Sequence, residues 1–191
     1  TALSFDERAI GSAERIMDGC LFTQKMRDDP DGVTEPEWKA VCSNAALTPD
    51  GAEKFHDWSS LYSGYSFKET DYKISRAVEA KKPCTCAYIH EKLGFPCPEE
   101  GCGVKAPVVL ALYSKEEQLQ ILLSKEELTI PELFDPYSLN LFSYAKAKCI
   151  SEYVQVKQRL KKLGVSVRDF ERAVKSHAYT PAPDAAQDFA G

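Results

Sequence analysis

What the sequence lacks narrows the field first. No apolar run in its 191 residues approaches the ~18 to 20 that a membrane-crossing helix needs, so no membrane partner is expected. The opening Thr1-Ala2-Leu3-Ser4-Phe5 has no basic stretch, no apolar h-region and no initiator Met, as expected of a cytoplasmic piece excised from a longer chain. No G-x4-G-K-[ST] loop is present to cradle phosphates, so ATP hydrolysis of the helicase kind is not encoded. No acidic pair on a convincing strand offers to hold the two divalent ions of phosphoryl transfer, and no Ser/His/Asp or Cys/His arrangement suggests covalent catalysis. Positive charge is in short supply too: 24 Lys and Arg against 29 Asp and Glu leave a net charge of -5, so any contact with nucleic acid must be local. No internal repeat is visible.

What remains reads as helix. A content of 43% hydrophobic and 28% charged residues is that of a globular domain with one good core, or one core with a satellite. Helix starts are marked by a Ser or Thr followed three residues later by a carboxylate: Thr34 with Glu37, Ser66 with Glu69, Ser114 with Glu117 and Thr129 with Glu132. Pro36 and Pro136 suit first turns, and Gly164 suits a helix end after Lys161 and Lys162. Helices are predicted near 5–28, 35–46, 50–62, 67–81, 114–124, 136–163 with a break, and 167–178. Ile10, Ala13, Ile16 and Met17, then Trp38, Val41, Cys42 and Ala45, then Phe170, Ala173 and Val174 form core stripes. Val108 to Leu112 reads equally as a strand or a buried connecting run. The expected fold is all-α: a helix bundle over 1–82, a Cys-rich zinc-binding module over 83–110, a second helical subdomain over 111–178 and a flexible tail over 179–191.

Seven cysteines, an odd number without signs of secretion, point to metal or burial rather than a disulfide scaffold. Four lie within nineteen residues: Cys84 and Cys86 as C-x-C, Cys97 and Cys102 as C-x4-C, joined by ten residues and flanked by Gly and Pro. Such pairs can turn four sulfurs toward one tetrahedral Zn²⁺ at roughly 2.3 Å, a closed and therefore structural site. Free or disulfide-linked cysteines and an iron–sulfur cluster are the other readings, with His90 as a reserve ligand. Cys20, Cys42 and Cys149 fall on apolar helix faces and read as core.

Two stretches suit phosphate and base. Tyr62, Tyr65 and Phe67 surround a helix start that carries Lys68, Lys73 and Arg76, pairing stacking surface with cations and free backbone donors; the plainer reading staples Tyr65 and Phe67 to the core. Lys105, beside the cysteines, reads as a phosphate contact or as a partner for a neighbouring acid. From Lys146 to Lys175 nine cations face only Glu152, Asp169 and Glu171, a DNA-facing surface or simply a solvated one. His56 and His177 have no clustered partner.

Gly19-Cys20-Leu21-Phe22, Arg27-Asp28-Asp29, Thr34-Glu35-Pro36-Glu37-Trp38, Tyr62 to Thr70, Lys73-Ile74, Ala77, Pro83-Cys84-Thr85-Cys86, Gly94-Phe95, Cys97 and Cys102 to Pro107 together carry a resemblance. Over roughly residues 12–110 the chain resembles the C-terminal helical region of phage, plasmid and integrative-element DNA primases of the archaeo-eukaryotic primase-polymerase type. Relatives often have His at the position of Cys84, and both residue types ligate zinc. The resemblance implies an accessory helix bundle in DNA replication, beside a catalytic primase-polymerase domain and often ahead of a helicase domain. It would help bind single-stranded template DNA and nucleotide such as ATP, through Tyr65, Lys68, Lys73, Arg76 and Lys105, with no catalysis of its own. The alternative is a structural coupling domain that joins primase to helicase and touches protein but not DNA, which the acids around Asp28, Asp29, Asp31, Glu35 and Glu37 suit. An independent metal-dependent enzyme is disfavoured, because four thiolates leave zinc no open position.

Overall fold

The computed structural model describes residues 7–98 and 101–177. It is all-α: eleven α-helices and three short 3₁₀ turns, with no strand among the described residues beyond a single antiparallel bridge between Ile10 and Leu112. The chain divides into two compact units between Leu112 and Tyr113.

The first unit holds α1 (Glu14–Gly19), α2 (Leu21–Asp28), α3 (Glu35–Ala45), α4 (Gly51–Ser59), α5 (Phe67–Ala80) and α6 (Cys86–Leu93). The predicted helix over 5–28 breaks at Cys20, whose backbone is extended and serves as C-cap of α1 and N-cap of α2. Gly19 lets this corner settle on Leu110, since a Cβ there would stand 3.2 Å from the Leu110 side chain. Asp50, from the loop before α4, caps the start of α1: its carboxylate accepts from the Ser12 hydroxyl and, at 2.7 Å, from the Ala13 N–H. The start of α3 is closed by Glu37, which accepts from the Thr34 N–H at 2.8 Å and from Lys25 Nζ at 2.8 Å. Ile16, Met17, Phe22, Val41, Cys42, Ala45 and Phe55 form the core together with Ile89 of α6 and Val108 of the 3₁₀ turn Pro107–Ala111, so the Cys-rich stretch shares its hydrophobic core with the helices before it. That turn is the buried connecting run and not a strand: Pro107 opens it, Val108 and Ala111 are buried, and Leu112 leaves it to bridge Ile10.

Asn44 ties these pieces together. Only 1% exposed, its Nδ2 donates to the Ala40 carbonyl at 2.9 Å and the Cys84 carbonyl at 3.1 Å, and its Oδ1 accepts from the Val108 N–H at 3.0 Å. One amide thus holds both flanks of the Cys-rich stretch against α3.

The second unit holds α7 (Lys115–Ser124), α8 (Ile130–Phe134), α9 (Pro136–Lys148), α10 (Ile150–Lys162) and α11 (Val167–Ser176). The break expected within 136–163 falls at Cys149, and the start marked by Thr129 and Glu132 belongs to the short α8. Phe170, fully buried, packs against Phe134, Phe142 and Tyr153 at ring separations of 5.8, 5.4 and 6.4 Å. Gly164, at φ +70°, takes the left-handed turn after α10 that residues with a Cβ adopt at a cost. The tail assigned to 179–191 lies outside the described residues.

Candidate nucleic-acid interface and cysteine cluster

The α5 start is built around an aromatic cleft. Ser66 caps the helix by accepting from the Glu69 N–H, and the preceding loop is tied to Pro30–Gly32 by Ser63, whose N–H donates to Asp31 Oδ1 at 2.9 Å. That bond holds the Asp31 carboxyl below the usual carboxylate range. A cavity of about 280 Å³ opens here, lined by Trp38, Trp58, Tyr62 and Tyr65 with Glu35 and Glu69. Gly64 makes room for the Tyr62 ring, which a Cβ would meet at 2.7 Å. Trp38 is fixed by donating Nε1–H to Ser59 Oγ at 3.0 Å.

His56 joins this corner, which its isolation in the sequence did not suggest. Its Nδ1 lies 2.8 Å from the Tyr65 hydroxyl, and its ring stacks on Phe67 at 4.3 Å and 14°. Its Nε2 is buried without a hydrogen bond, Asp71 being 3.8 Å away. Tyr65 is thus held to α4 through His56, whereas Phe67 is 64% exposed despite the stacking contact.

The cations of α5 separate into two faces. Lys68, Tyr72 and Arg76 recur at every fourth position and are all exposed, Tyr72 at 60%, making a cation–aromatic–cation stripe. Arg76 pairs with Glu79 at 3.0 Å in full solvent, a contact that holds little energy. Lys73 turns toward α3, with Nζ 3.8 Å from Glu35, which also pairs with Lys39 at 2.7 Å. The hydrogen bond and charge of Lys39 hold the Glu35 carboxyl low. Lys105 belongs to the cysteine segment: its carbonyl accepts from the Cys86 N–H at 2.8 Å.

The four cysteines of the segment do not all share one place. Cys86 is the first residue of α6, after the Thr85 N-cap, and α6 ends at Gly94, whose φ of +68° favours glycine. Phe95 then folds back edge-on against Phe22 at 5.2 Å. Cys86, Cys97 and Cys102 line one cavity of about 120 Å³, and the sulfur-bearing residue that joins them is Cys20. Cys84 lines a different groove, with Pro36, Lys39 and Ser43. Its N–H donates to Ser43 Oγ at 2.9 Å and its thiol faces the Thr85 carbonyl at 3.8 Å. His90 is exposed on α6. Burial pushes the Cys86 thiol up to about 12, and the neighbouring charges of Cys102, Cys20, Cys97 and Cys84 add to this. Burial alone raises Cys84 to about 11. Among the described residues, no three Cys, His, Asp or Glu side chains stand close enough to hold a metal as they are. Of Cys84, Cys86, Cys97 and Cys102, the last three line one cavity and Cys84 lines another.

In the second unit the basic stretch is partly structural. Arg159 donates to the Leu123 carbonyl at 2.6 Å and the Lys125 carbonyl at 3.1 Å, closing the C-terminal end of α7. Lys157 pairs with Glu171 at 3.3 Å and Arg172 with Asp169 at 3.2 Å. Lys146, Lys148, Lys161, Lys162, Arg168 and Lys175 are exposed. Comparison with family models, curated proteins and solved structures finds no match to this chain. No helix among the described residues is long and apolar enough to cross a membrane.

Proposed function

We propose that this chain is a non-catalytic accessory domain of a mobile-element DNA primase, one that holds single-stranded template DNA and nucleotide and uses a structural Zn²⁺ to fold its Cys-rich segment. The observation that carries the DNA reading is the exposed Lys68–Tyr72–Arg76 stripe on α5, next to the aromatic cleft. A single strand needs cations for its phosphates at intervals and aromatic faces for its bases, each stacked base being worth about 1–3 kcal/mol. The stripe supplies both on one helix face. The cleft suits a base better than a phosphate, because Glu35 and Glu69 line it and repel anions while Trp38, Trp58 and Tyr65 offer ring surface. A nucleotide entering base-first would leave its phosphates outside, toward Lys68. Chemistry would belong to a catalytic primase-polymerase domain, with a helicase domain as the further neighbour.

The test is a titration of fluorescently labelled single-stranded DNA with the purified chain, with and without ATP, at two salt concentrations. Saturable binding should weaken with salt. Loss of two phosphate contacts in a Lys68→Glu, Arg76→Glu variant should flatten the log–log salt slope by about 1.4, from roughly 0.7 per phosphate on a single strand. Absence of binding at micromolar protein would favour the coupling domain, for which the exposed acids Asp28, Asp29, Asp31 and Glu35 offer a docking charge.

A further inference from the structure

Cys20 occupies a position that its chemistry does not explain as a cap. It is the N-cap of α2, where Ser, Thr, Asp or Asn would accept a bond from the helix amides, yet its side chain makes no capping hydrogen bond. Its residue is only 8% exposed and lines the cavity shared with Cys86, Cys97 and Cys102. Resting on the zinc reading above, we infer that Cys20, not Cys84, completes a four-thiolate Zn²⁺ site with Cys86, Cys97 and Cys102.

Two of these donors are built into rigid positions. Cys20 rides on the α1–α2 corner, packed against Leu110, and Cys86 is anchored through its N–H to the Lys105 carbonyl. Each stands at the N-terminal end of an eight-residue helix, where the free amides carry partial positive charge. Four thiolates around Zn²⁺ leave a net charge of about -2 on the centre, which two helix N-termini offset. The other two donors lie nearer the surface: Cys97 and Cys102 are exposed, and positive φ at Gly101 and Gly103 turns the backbone beside Cys102. Binding would exchange each S–H for S–Zn and release its proton to solvent.

Cys84 is placed for another role. Its N–H is fixed to Ser43 and its carbonyl to Asn44, both on α3, and its side chain packs in the groove with Pro36 and Lys39. It anchors the segment's start.

Cobalt(II) absorption counts thiolates directly, through sulfur-to-metal charge-transfer intensity and ligand-field bands. The full chain, loaded with Co²⁺ in place of Zn²⁺, should show a tetrahedral four-thiolate spectrum. Cys84→Ser should keep that spectrum and stoichiometric metal, whereas Cys20→Ser should lose one thiolate's intensity or lose the metal. Cys20→His should restore a tetrahedral site with three sulfurs and one nitrogen. Because Cys84 is not part of the buried core, its variant tests the assignment even if Cys20→Ser does not fold. A four-thiolate parent that drops to three in Cys84→Ser overturns the Cys20 assignment and leaves zinc standing. A parent that binds neither Co²⁺ nor Zn²⁺ overturns both.

Discussion

Removing the Asn44 amide should cost the first unit more than any comparable surface change, and the cost can be worked from its bonds. In Asn44→Ala the Val108 N–H, buried at 1% exposure, loses its acceptor, and the Cys84 carbonyl loses its donor. The Ala40 carbonyl keeps its helical partner and is not orphaned. At about 1–3 kcal/mol for each stranded buried group, with the half-buried Cys84 carbonyl at the low end because water can reach it, the loss should be about 3–4 kcal/mol. Asn44→Asp separates hydrogen bonding from packing. The carboxylate is nearly isosteric and still accepts from Val108, but it turns an oxygen toward the Ala40 and Cys84 carbonyls. It should cost at least as much as Ala at neutral pH. Trp38 and Trp58, the only two tryptophans, both lie in the first unit, so urea titration followed by tryptophan emission reports that unit alone. An Asn44→Asp variant within about 1 kcal/mol of the parent would refute the account, because it would mean that shape rather than the three bonds is what α3 requires there.

Acid should weaken the same unit through Asp50. Burial pushes its carboxyl up, but bonds from the Ser12 hydroxyl, the Ala13 N–H and the Thr48 hydroxyl outweigh this and hold its folded pKa below the unfolded value. Its contribution is therefore complete above the unfolded value, near pH 4, and fades as pH falls through the folded one. The urea midpoint difference between parent and Asp50→Asn should shrink from pH 6 to pH 3, and a constant difference would contradict the linkage. In the second unit, Phe170→Ala should cost about 3–5 kcal/mol by leaving a cavity among Phe134, Phe142 and Tyr153. Far-UV circular dichroism should then show an early transition that tryptophan emission does not follow.

Much of the fold is legible in local patterns. Thr34–Glu37, Ser114–Glu117 and Thr129–Glu132 are capping boxes in the structure, and Ser66 caps α5. Val41, Cys42, Ala45, Phe170 and Val174 are buried where helical spacing puts them. These signals travel only a turn or two along the chain, and they fail where distant contacts decide. The break at Cys20 has no proline to mark it, and the corner it makes sits beside Leu110, far away in sequence. The helix α6 hides because its cap, Thr85, sits between two cysteines whose spacing draws attention to metal, while its end at Gly94 is a plain helix stop. Asn44 and His56 have ordinary sequence neighbours, and their partners lie on other elements.

The cysteines show why close spacing in the sequence does not decide which side chains meet. C-x-C brings two sulfurs together only if both residues keep the same backbone. Here Thr85 is extended and caps a helix, so Cys84 precedes the cap while Cys86 begins the first turn. The change of backbone between them sends one side chain toward α3 and the other toward the α1–α2 corner. Four cysteines clustered in the sequence thus include one that the helix start turns away from the other three, while tertiary packing brings Cys20 to the cavity they line. The same corner that breaks the first predicted helix is what brings Cys20 to the cavity lined by Cys86, Cys97 and Cys102.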